Sequence, residues 1–227
     1  MASINASARR VQRMKRCDGT NLSSRAYNGM LCGTLLYGLV INFVLCFFVG
    51  DITTVVNPIV FLIVYFVCCM IGTLMSAKSD NPVISFIGYN MVVVPVGLVV
   101  SMAVQKYGGL SSQVVVTAFL ITMCITAMMT LLGIANPGFC CKIGGLLFAG
   151  LLGLIIAEII IMLLGMDNLI ISWFAAIIFS LYIAYDIYRS QCYPPTVDNA
   201  IDSAFDIYLD IANLFLRIMS ILGKNND

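Results

Sequence analysis

The chain has 227 residues, of which 61% are hydrophobic and 10% charged, and its mean hydropathy is +1.01. A soluble globular domain averages about 45–50% apolar and about 25% charged residues, so this composition excludes one and indicates an integral membrane protein. The net charge of +1 gives no basic surface for nucleic acid, and we expect no nucleic-acid partner.

Seven apolar segments follow one another along the chain, separated by charged residues or by clusters of Gly, Pro, Asn and Asp. A helix needs about 20 apolar residues to cross a hydrocarbon core roughly 30 Å thick. The segments therefore predict seven membrane-spanning helices over residues 26–49, 55–77, 83–104, 112–133, 143–166, 168–188 and 200–222. Residues 1–25 form a basic tail, residues 26–222 one transmembrane domain and residues 223–227 a short C-terminal tail. Pro95 is expected to kink the third span.

The lysine and arginine residues predict the orientation of the chain. With seven spans, Lys106 and Lys224 fall on the side opposite the N-terminus. Many more fall on the N-terminal side, namely Arg9, Arg10, Arg13, Lys15, Arg16, Arg25, Lys78, Lys142 and Arg189. The positive-inside rule then places the N-terminus in the cytoplasm and the C-terminus outside. The compact tail and loops favour a bacterial plasma membrane over an internal eukaryotic membrane.

Few ionisable residues are expected at membrane depth, and most of them lie on the last two helices: Glu158, Asp186, Asp206, Asp210 and Arg217. An ionised carboxylate there costs roughly 2.5–3.5 kcal/mol on insertion scales, so it normally faces a bundle interior and a partner. On the seventh segment, a polar stripe within roughly 60° contains Asp206, Asp210, Asn213 and Arg217. Such a helix should be buried among the others or line a water-filled path. The stripe serves either helix packing or an ion or proton pathway.

Depth along the helices predicts one ion pair. Glu158 lies about 15 residues, or roughly 22 Å, from the entry of its span. Arg217 lies about 14 residues, or roughly 21 Å, beyond Ser203 in the seventh span. The two residues are level, and we expect them to form a buried, structural ion pair in the outer half of the bundle.

Asp186 ends the sixth span on the cytoplasmic side, where the aspartates of the seventh span begin. Two carboxylates brought close in a low dielectric cannot both ionise cheaply, so they would share a proton. The shared proton would hold the helices together, whereas two ionised groups would repel each other or attract a hard cation such as Ca²⁺. Depth leaves open whether Asp206 or Asp210 is the partner of Asp186.

Three motifs resemble those of a known family. They are YLDIANLFLR at residues 208–217, AYD at residues 184–186 and NPVISFIGY at residues 81–89. The chain is similar in these motifs to the Bax inhibitor-1 family, also called the transmembrane Bax-inhibitor-motif family, and the resemblance covers residues 26–222. It implies an all-α polytopic membrane protein, a seven-helix bundle with the seventh helix central, and a pH-sensitive calcium leak.

The resemblance also implies site residues. In the family, one aspartate on each of the last two helices senses protons and calcium, and these map to Asp186 and Asp210, the expected Ca²⁺ ligands. The rest of the polar stripe then supports the pair: Asp206, Asn213, Arg217 and, from the fifth span, Glu158. Family members can carry an arginine in the second helix that engages the aspartates, but residues 55–77 contain no charged residue here. Either Arg217 or Arg189 substitutes for it, or the gating is altered.

The leading hypothesis is a passive cation leak, with Ca²⁺ as the ion, gated by protonation of Asp186 and Asp210. The alternative is a non-transport membrane regulator of stress or cell-death pathways that acts through membrane-protein partners. A proton-coupled transporter is a further possibility, because the same carboxylates could carry protons. We expect no enzymatic activity, because seven-helix zinc hydrolases use several histidines and the chain has none. The expected partners are the lipid bilayer, Ca²⁺ and protons, and no cofactor is expected.

Overall fold

The computed structural model describes residues 21–49, 57–165 and 169–224. Over these ranges the secondary structure consists of α-helices without a β-strand. In chain order they are α1 (Ser24–Phe48), α2 (Pro58–Lys78), α3 (Pro82–Lys106), α4 (Gln113–Ala135), α5 (Pro137–Leu164), α6 (Leu169–Gln191) and α7 (Val197–Lys224). Most of the predicted basic tail, the last three residues and the segments 50–56 and 166–168 lie outside the described residues.

The helix boundaries follow local signals. Ser23 caps α1 by accepting a hydrogen bond from the Ala26 N–H at 3.2 Å. Pro137 opens α5, because its fixed φ and missing N–H suit the first helical turn. The predicted start at residue 143 was therefore wrong for the helix itself. Gly165 ends α5 in the left-handed conformation, with φ of 62°.

Other helices also run past the predicted spans. α6 continues to Gln191 and therefore includes Arg189, while α7 begins at Val197 rather than at residue 200. The predicted limits were set where apolar runs meet charged residues, but a helix can continue beyond the hydrocarbon layer because its backbone hydrogen bonds do not depend on side-chain polarity. α3 continues through Pro95 to Lys106.

Six of the described helices, α1 to α6, are long and apolar enough to cross a membrane, which makes the chain a multi-pass integral membrane protein. α7 is not among these six, and it carries most of the ionisable residues discussed above. Nevertheless, every residue of α7 from Val197 to Lys224 is buried or half-buried, and none is exposed. In contrast, most residues of α2 are exposed. The seven-span topology with a central α7 stays a prediction.

Contacts divide the described chain into two compact units. Unit 1 contains residues 21–49, 57–102 and 189–208, and unit 2 contains residues 103–165, 169–188 and 209–224. In unit 1, α2 and α3 approach so closely that a Cβ on Gly72 would lie 2.5 Å from the Gly88 carbonyl oxygen. In unit 2, a Cβ on Gly133 of α4 would lie 2.5 Å from the Ala184 carbonyl oxygen of α6. Small residues at such contacts are typical of membrane helix packing.

Candidate functional site

An aspartate recurs every four residues along α7, at Asp198, Asp202, Asp206 and Asp210. Side chains four residues apart lie on successive turns of one side of a helix, so the four carboxylates form a continuous row. The first three belong to unit 1 and the fourth to unit 2.

In unit 1, two carboxylates of the row accept hydrogen bonds from neutral hydroxyls. Ser85 of α3 donates to Asp198 at 2.6 Å, and Ser76 of α2 donates to Asp202. Ser76, Ser85 and Asp202 are all buried. Buried carboxylates need hydrogen-bond partners, so these contacts fix the first turns of α7 against α2 and α3.

The third carboxylate of the row pairs with an arginine. Arg189 of α6 forms a salt bridge with Asp206, and about a third of each side chain is exposed. The Arg189 guanidinium also lies over the Tyr193 ring, 5.7 Å from its centroid. Depth along the helices left Asp206 and Asp210 as the two candidate partners of Asp186. Of these two, Asp206 pairs with Arg189 within unit 1.

The ends of α6 and α7 are also tied to α1. The Tyr27 hydroxyl lies 3.0 Å from the Ser190 carbonyl oxygen, 3.4 Å from that of Asn199 and 3.2 Å from the Ser203 hydroxyl. The last turn of α6 and the first turns of α7 thus meet at a single side chain.

In unit 2, Asp186 on α6 and Asp210 on α7 are both buried, each with 7% of its surface exposed. Asp186 precedes Arg189 by three residues on α6, and Asp210 follows Asp206 by four residues on α7.

The ion pair expected from depth is present in unit 2, but the expectation that it is buried was wrong, because both side chains are partly exposed. Arg217 of α7 contacts the Glu158 carboxylate of α5, with 22% and 34% of the two side chains exposed. Asn213, the other predicted member of the polar stripe, donates from its amide to the Leu209 carbonyl oxygen at 2.8 Å, within its own helix. Arg217 is thereby engaged with α5, and Arg189 with Asp206.

A resident metal centre is not evident in the part of the chain that the structure describes, where no three cysteine or acidic side chains come together as a metal-binding group. Ca²⁺ takes about six to eight oxygen ligands. Two carboxylates would therefore supply only part of such a set.

The sequence-based reasoning missed Asp198, Ser76 and Ser85. The four-residue spacing of the other aspartates could have pointed to Asp198, since it extends the row by one turn. Ser85 lies inside the NPVISFIGY motif. Ser76 has no signal in the sequence, because one serine in an apolar run is common in membrane helices.

The sequence also matches those of known proteins. The sequence signature of the family described as "Inhibitor of apoptosis-promoting Bax1" matches residues 20–227. The chain is 30% identical over 123 residues to Bax inhibitor 1 of Schizosaccharomyces pombe, which covers 52% of this chain and 46% of the yeast protein. It is 43% identical over 63 residues to Bax inhibitor 1 of Saccharomyces cerevisiae, which covers 26% and 20%.

A bacterial relative gives a similar match. The chain is 32% identical over 108 residues to an uncharacterized protein of Helicobacter pylori, covering 47% of this chain and 46% of that protein. The matched region thus spans about half the length, or less, of these relatives. The family signature, in contrast, covers nearly the whole chain, including α7 and its aspartates. The chain belongs to the Bax inhibitor-1 family.

Proposed function

We propose that the chain is a passive, pH-sensitive cation leak with Ca²⁺ as the transported ion, and that Asp186 and Asp210 are its proton-binding groups. The observation that carries the proposal is that two carboxylates of unit 2, one on α6 and one on α7, are both buried. Ionisable residues inside a membrane bundle mark ion or proton paths by default, because they are expensive to retain there. The proposed role needs no enzymatic activity and no cofactor.

The proposal includes α7 as the seventh and central span, with the N-terminus in the cytoplasm of a bacterial cell. Two observations support a spanning α7. It has 28 residues, or about 42 Å of helix, which exceeds the thickness of a hydrocarbon core. It also has no exposed residue, as expected of a polar helix that other helices shield from lipid.

The chemistry follows from two like charges in a low-dielectric site. With one proton shared between Asp186 and Asp210, the carboxyl groups hydrogen-bond and hold α6 and α7 together. With both groups ionised, they repel each other and attract a hard cation, whose preferred ligands are carboxylate and carbonyl oxygens. Loss of the proton therefore both loosens the closed arrangement and creates the attraction for Ca²⁺.

The contact that closes the proposed ion path cannot use a charged side chain from residues 58–77 of α2, because these residues carry no charge. The contact of α2 with α7 in this chain is made by the Ser76 hydroxyl on Asp202. Arg217 is paired with Glu158, and Arg189 with Asp206. We therefore propose that Arg189 acts on the aspartate pair indirectly, as a fixed positive charge one turn away, rather than as a partner that swings onto it.

The test is Ca²⁺ flux from proteoliposomes at a series of pH values between about 5 and 8. The native protein should pass Ca²⁺ down its gradient with a pH-dependent rate. Asp186→Asn and Asp210→Asn should each reduce that pH dependence at least about fivefold, because an amide cannot release the shared proton. Asp198→Asn is the matched control, because it removes a carboxylate of the same row about three turns away, and it should retain the dependence. Absence of flux at every pH, or an unchanged profile in both aspartate variants, would contradict the proposal.

A regulator without transport activity is the second candidate, and the family's description as an inhibitor of apoptosis-promoting Bax1 favours it. Such a protein would act through membrane-protein partners. Crosslinking in native membranes should then capture a partner whose binding survives Asp186→Asn combined with Asp210→Asn. Loss of that partner in the double variant would instead connect binding to the aspartate pair.

A further inference from the structure

We propose that unit 2 binds one zwitterionic phospholipid, of the phosphatidylethanolamine type, on the surface of α5 and α6. An acyl chain of the lipid lies in a groove between the two helices, and the head group lies on the Glu158–Arg217 ion pair at one end of that groove. The site includes neither Asp186 nor Asp210, so this inference goes beyond the proposed leak and does not depend on it.

The groove lies between α5 and α6 and has a volume of about 240 Å³. Small residues of α5 and apolar residues of α6 form its walls: Gly150, Gly153, Ala157, Ile171, Phe174 and Ile178. A Cβ on Gly153 would meet no atom within 4 Å, so the groove is open at that glycine. A methylene group occupies about as much volume as a water molecule in the liquid, about 30 Å³, so the groove has room for an acyl segment of about eight carbons.

Two contacts define the register of α5 and α6 within unit 2. A Cβ on Gly144 would lie 2.7 Å from the Tyr185 ring, and a Cβ on Gly150 would lie 3.4 Å from Cδ1 of Ile178. Six residues forward on α5 thus correspond to seven residues back on α6. The two helices are therefore antiparallel along the groove.

The same register places Glu158 at one end of the groove. Glu158 follows Gly150 by eight residues on α5, and Ile170 precedes Ile178 by eight residues on α6, so Glu158 and Ile170 are level. Leu154, which also lines the groove, lies one turn before Glu158. Side chains four residues apart lie on one side of a helix, so the Glu158 carboxylate follows the groove wall.

This level of α6 corresponds to the edge of the hydrocarbon layer. From Ile170 to Tyr188, α6 runs 18 residues, or about 27 Å. A hydrocarbon core is roughly 30 Å thick, and the residue after Tyr188 is the basic Arg189. Trp173 lies about one turn from Ile170 and is 54% exposed, as expected of an aromatic residue near the lipid head groups. Head groups therefore come within reach of the ion pair.

The ion pair is only partly shielded by protein. About 34% of the Glu158 side chain and 22% of the Arg217 side chain are exposed. The contact between them joins one guanidinium nitrogen and one carboxylate oxygen. A guanidinium has five N–H donors and a carboxylate about four lone-pair sites, so this contact uses only part of their capacity. Charged groups in a membrane protein normally face a polar partner, and a lipid head group supplies one here.

A phosphatidylethanolamine head group matches both charges of the pair. Its phosphate accepts hydrogen bonds from the Arg217 guanidinium, and its ammonium group donates to the Glu158 carboxylate. Phosphatidylglycerol has no cation for Glu158, and the quaternary ammonium of phosphatidylcholine has no N–H to donate. Lipid tails are as apolar as the groove walls, so the groove itself favours no head group. The ion pair therefore determines which lipid is bound.

Trp173 supplies the measurement, because it is the single tryptophan of the chain and precedes the groove residue Phe174. The protein is reconstituted in phosphatidylcholine vesicles that contain a minor fraction of brominated phosphatidylethanolamine, phosphatidylglycerol or phosphatidylcholine. A brominated chain in the groove quenches the Trp173 fluorescence. Brominated phosphatidylethanolamine should quench at least about threefold more strongly per mole than either other lipid, because it alone pairs with both charges. Equal quenching by the three lipids would overturn the proposal.

A groove-filling variant tests the place of the acyl chain. Gly153→Leu should remove the excess quenching by phosphatidylethanolamine, because the new side chain occupies the groove without meeting a neighbouring atom. Gly145→Leu is the matched control on α5, since a Cβ there also meets no atom within 4 Å and Gly145 does not line the groove. It should keep the excess. An excess that survives in Gly153→Leu, or is lost equally in Gly145→Leu, would refute the groove as the binding site.

A charge-free pair tests the head-group contact. Glu158→Gln combined with Arg217→Met strands no charge, and it should reduce the quenching by phosphatidylethanolamine to the level of phosphatidylcholine. A preference that persists in this double variant would show that the head group lies elsewhere. None of these measurements uses Ca²⁺, so absence of flux in the native protein would contradict the proposed leak and leave the lipid site to be decided by quenching.

Discussion

Arg217→Met is expected to lower the free energy of unfolding by about 3 kcal/mol, because it leaves the Glu158 carboxylate at membrane depth without its guanidinium partner. Parts of both side chains are exposed at the protein surface, and in the proposed topology with a spanning α7 these parts face lipid rather than water. Screening by solvent is therefore weak. Unfolding in mixed detergent micelles measures the loss.

The double variant makes this prediction specific to the pair. Glu158→Gln combined with Arg217→Met should lower the free energy of unfolding by at least about 1.5 kcal/mol less than the sum of the two single variants. Each single variant leaves one charge without its partner, whereas the double variant removes both charges. Lys142→Met is the control, since Lys142 is an exposed basic residue on the same helix as Glu158. That change should cost less than about 1 kcal/mol. Additive losses for Glu158 and Arg217 would show that they do not interact energetically.

Gly88→Ala is expected to lower the free energy of unfolding by about 2–3 kcal/mol, because the new methyl group would overpack the contact between α2 and α3. A Cβ on Gly88 would lie 2.6 Å from the Gly72 carbonyl oxygen, and a Cβ on Gly72 would lie 2.5 Å from that of Gly88. The obstacle on each side is backbone, which cannot turn away as a side chain can. The helices would have to separate.

The same substitution at Gly33 of α1 is the control, because a Cβ there would meet no atom within 4 Å. Gly33→Ala should be neutral or stabilising by up to about 1 kcal/mol, as expected from helix propensity. A second effect is local to the aspartate row. Gly72 and Gly88 lie one turn from Ser76 and Ser85, so separating α2 from α3 should also weaken the hydrogen bonds on Asp202 and Asp198. Similar stabilities for Gly88→Ala and Gly33→Ala would contradict the close-packing argument.

Much of the fold was predictable because membrane helices are specified by length and polarity, which are local properties. The apolar runs located the described helices to within a few residues, and the largest error, the start of α5, came from treating Asn136-Pro137-Gly138 as a break. Equal depth in two helices was enough to pair Glu158 with Arg217. The motifs around Tyr208 and Asp210 were enough to indicate the family.

The tertiary contacts could not be read in the same way. Ser76, Ser85 and Asn42 are isolated polar residues in apolar runs, and they meet α7 from more than a hundred residues away in sequence. Helices α2 to α5 are apolar on nearly all sides, since lipid and neighbouring helices are equally nonpolar, so their sequences do not mark which face turns inward. Rotation and close approach depend instead on where small residues such as Gly72 and Gly88 meet. Sequence therefore specifies which ionisable groups enter the membrane, whereas packing determines the donor that each aspartate of α7 receives.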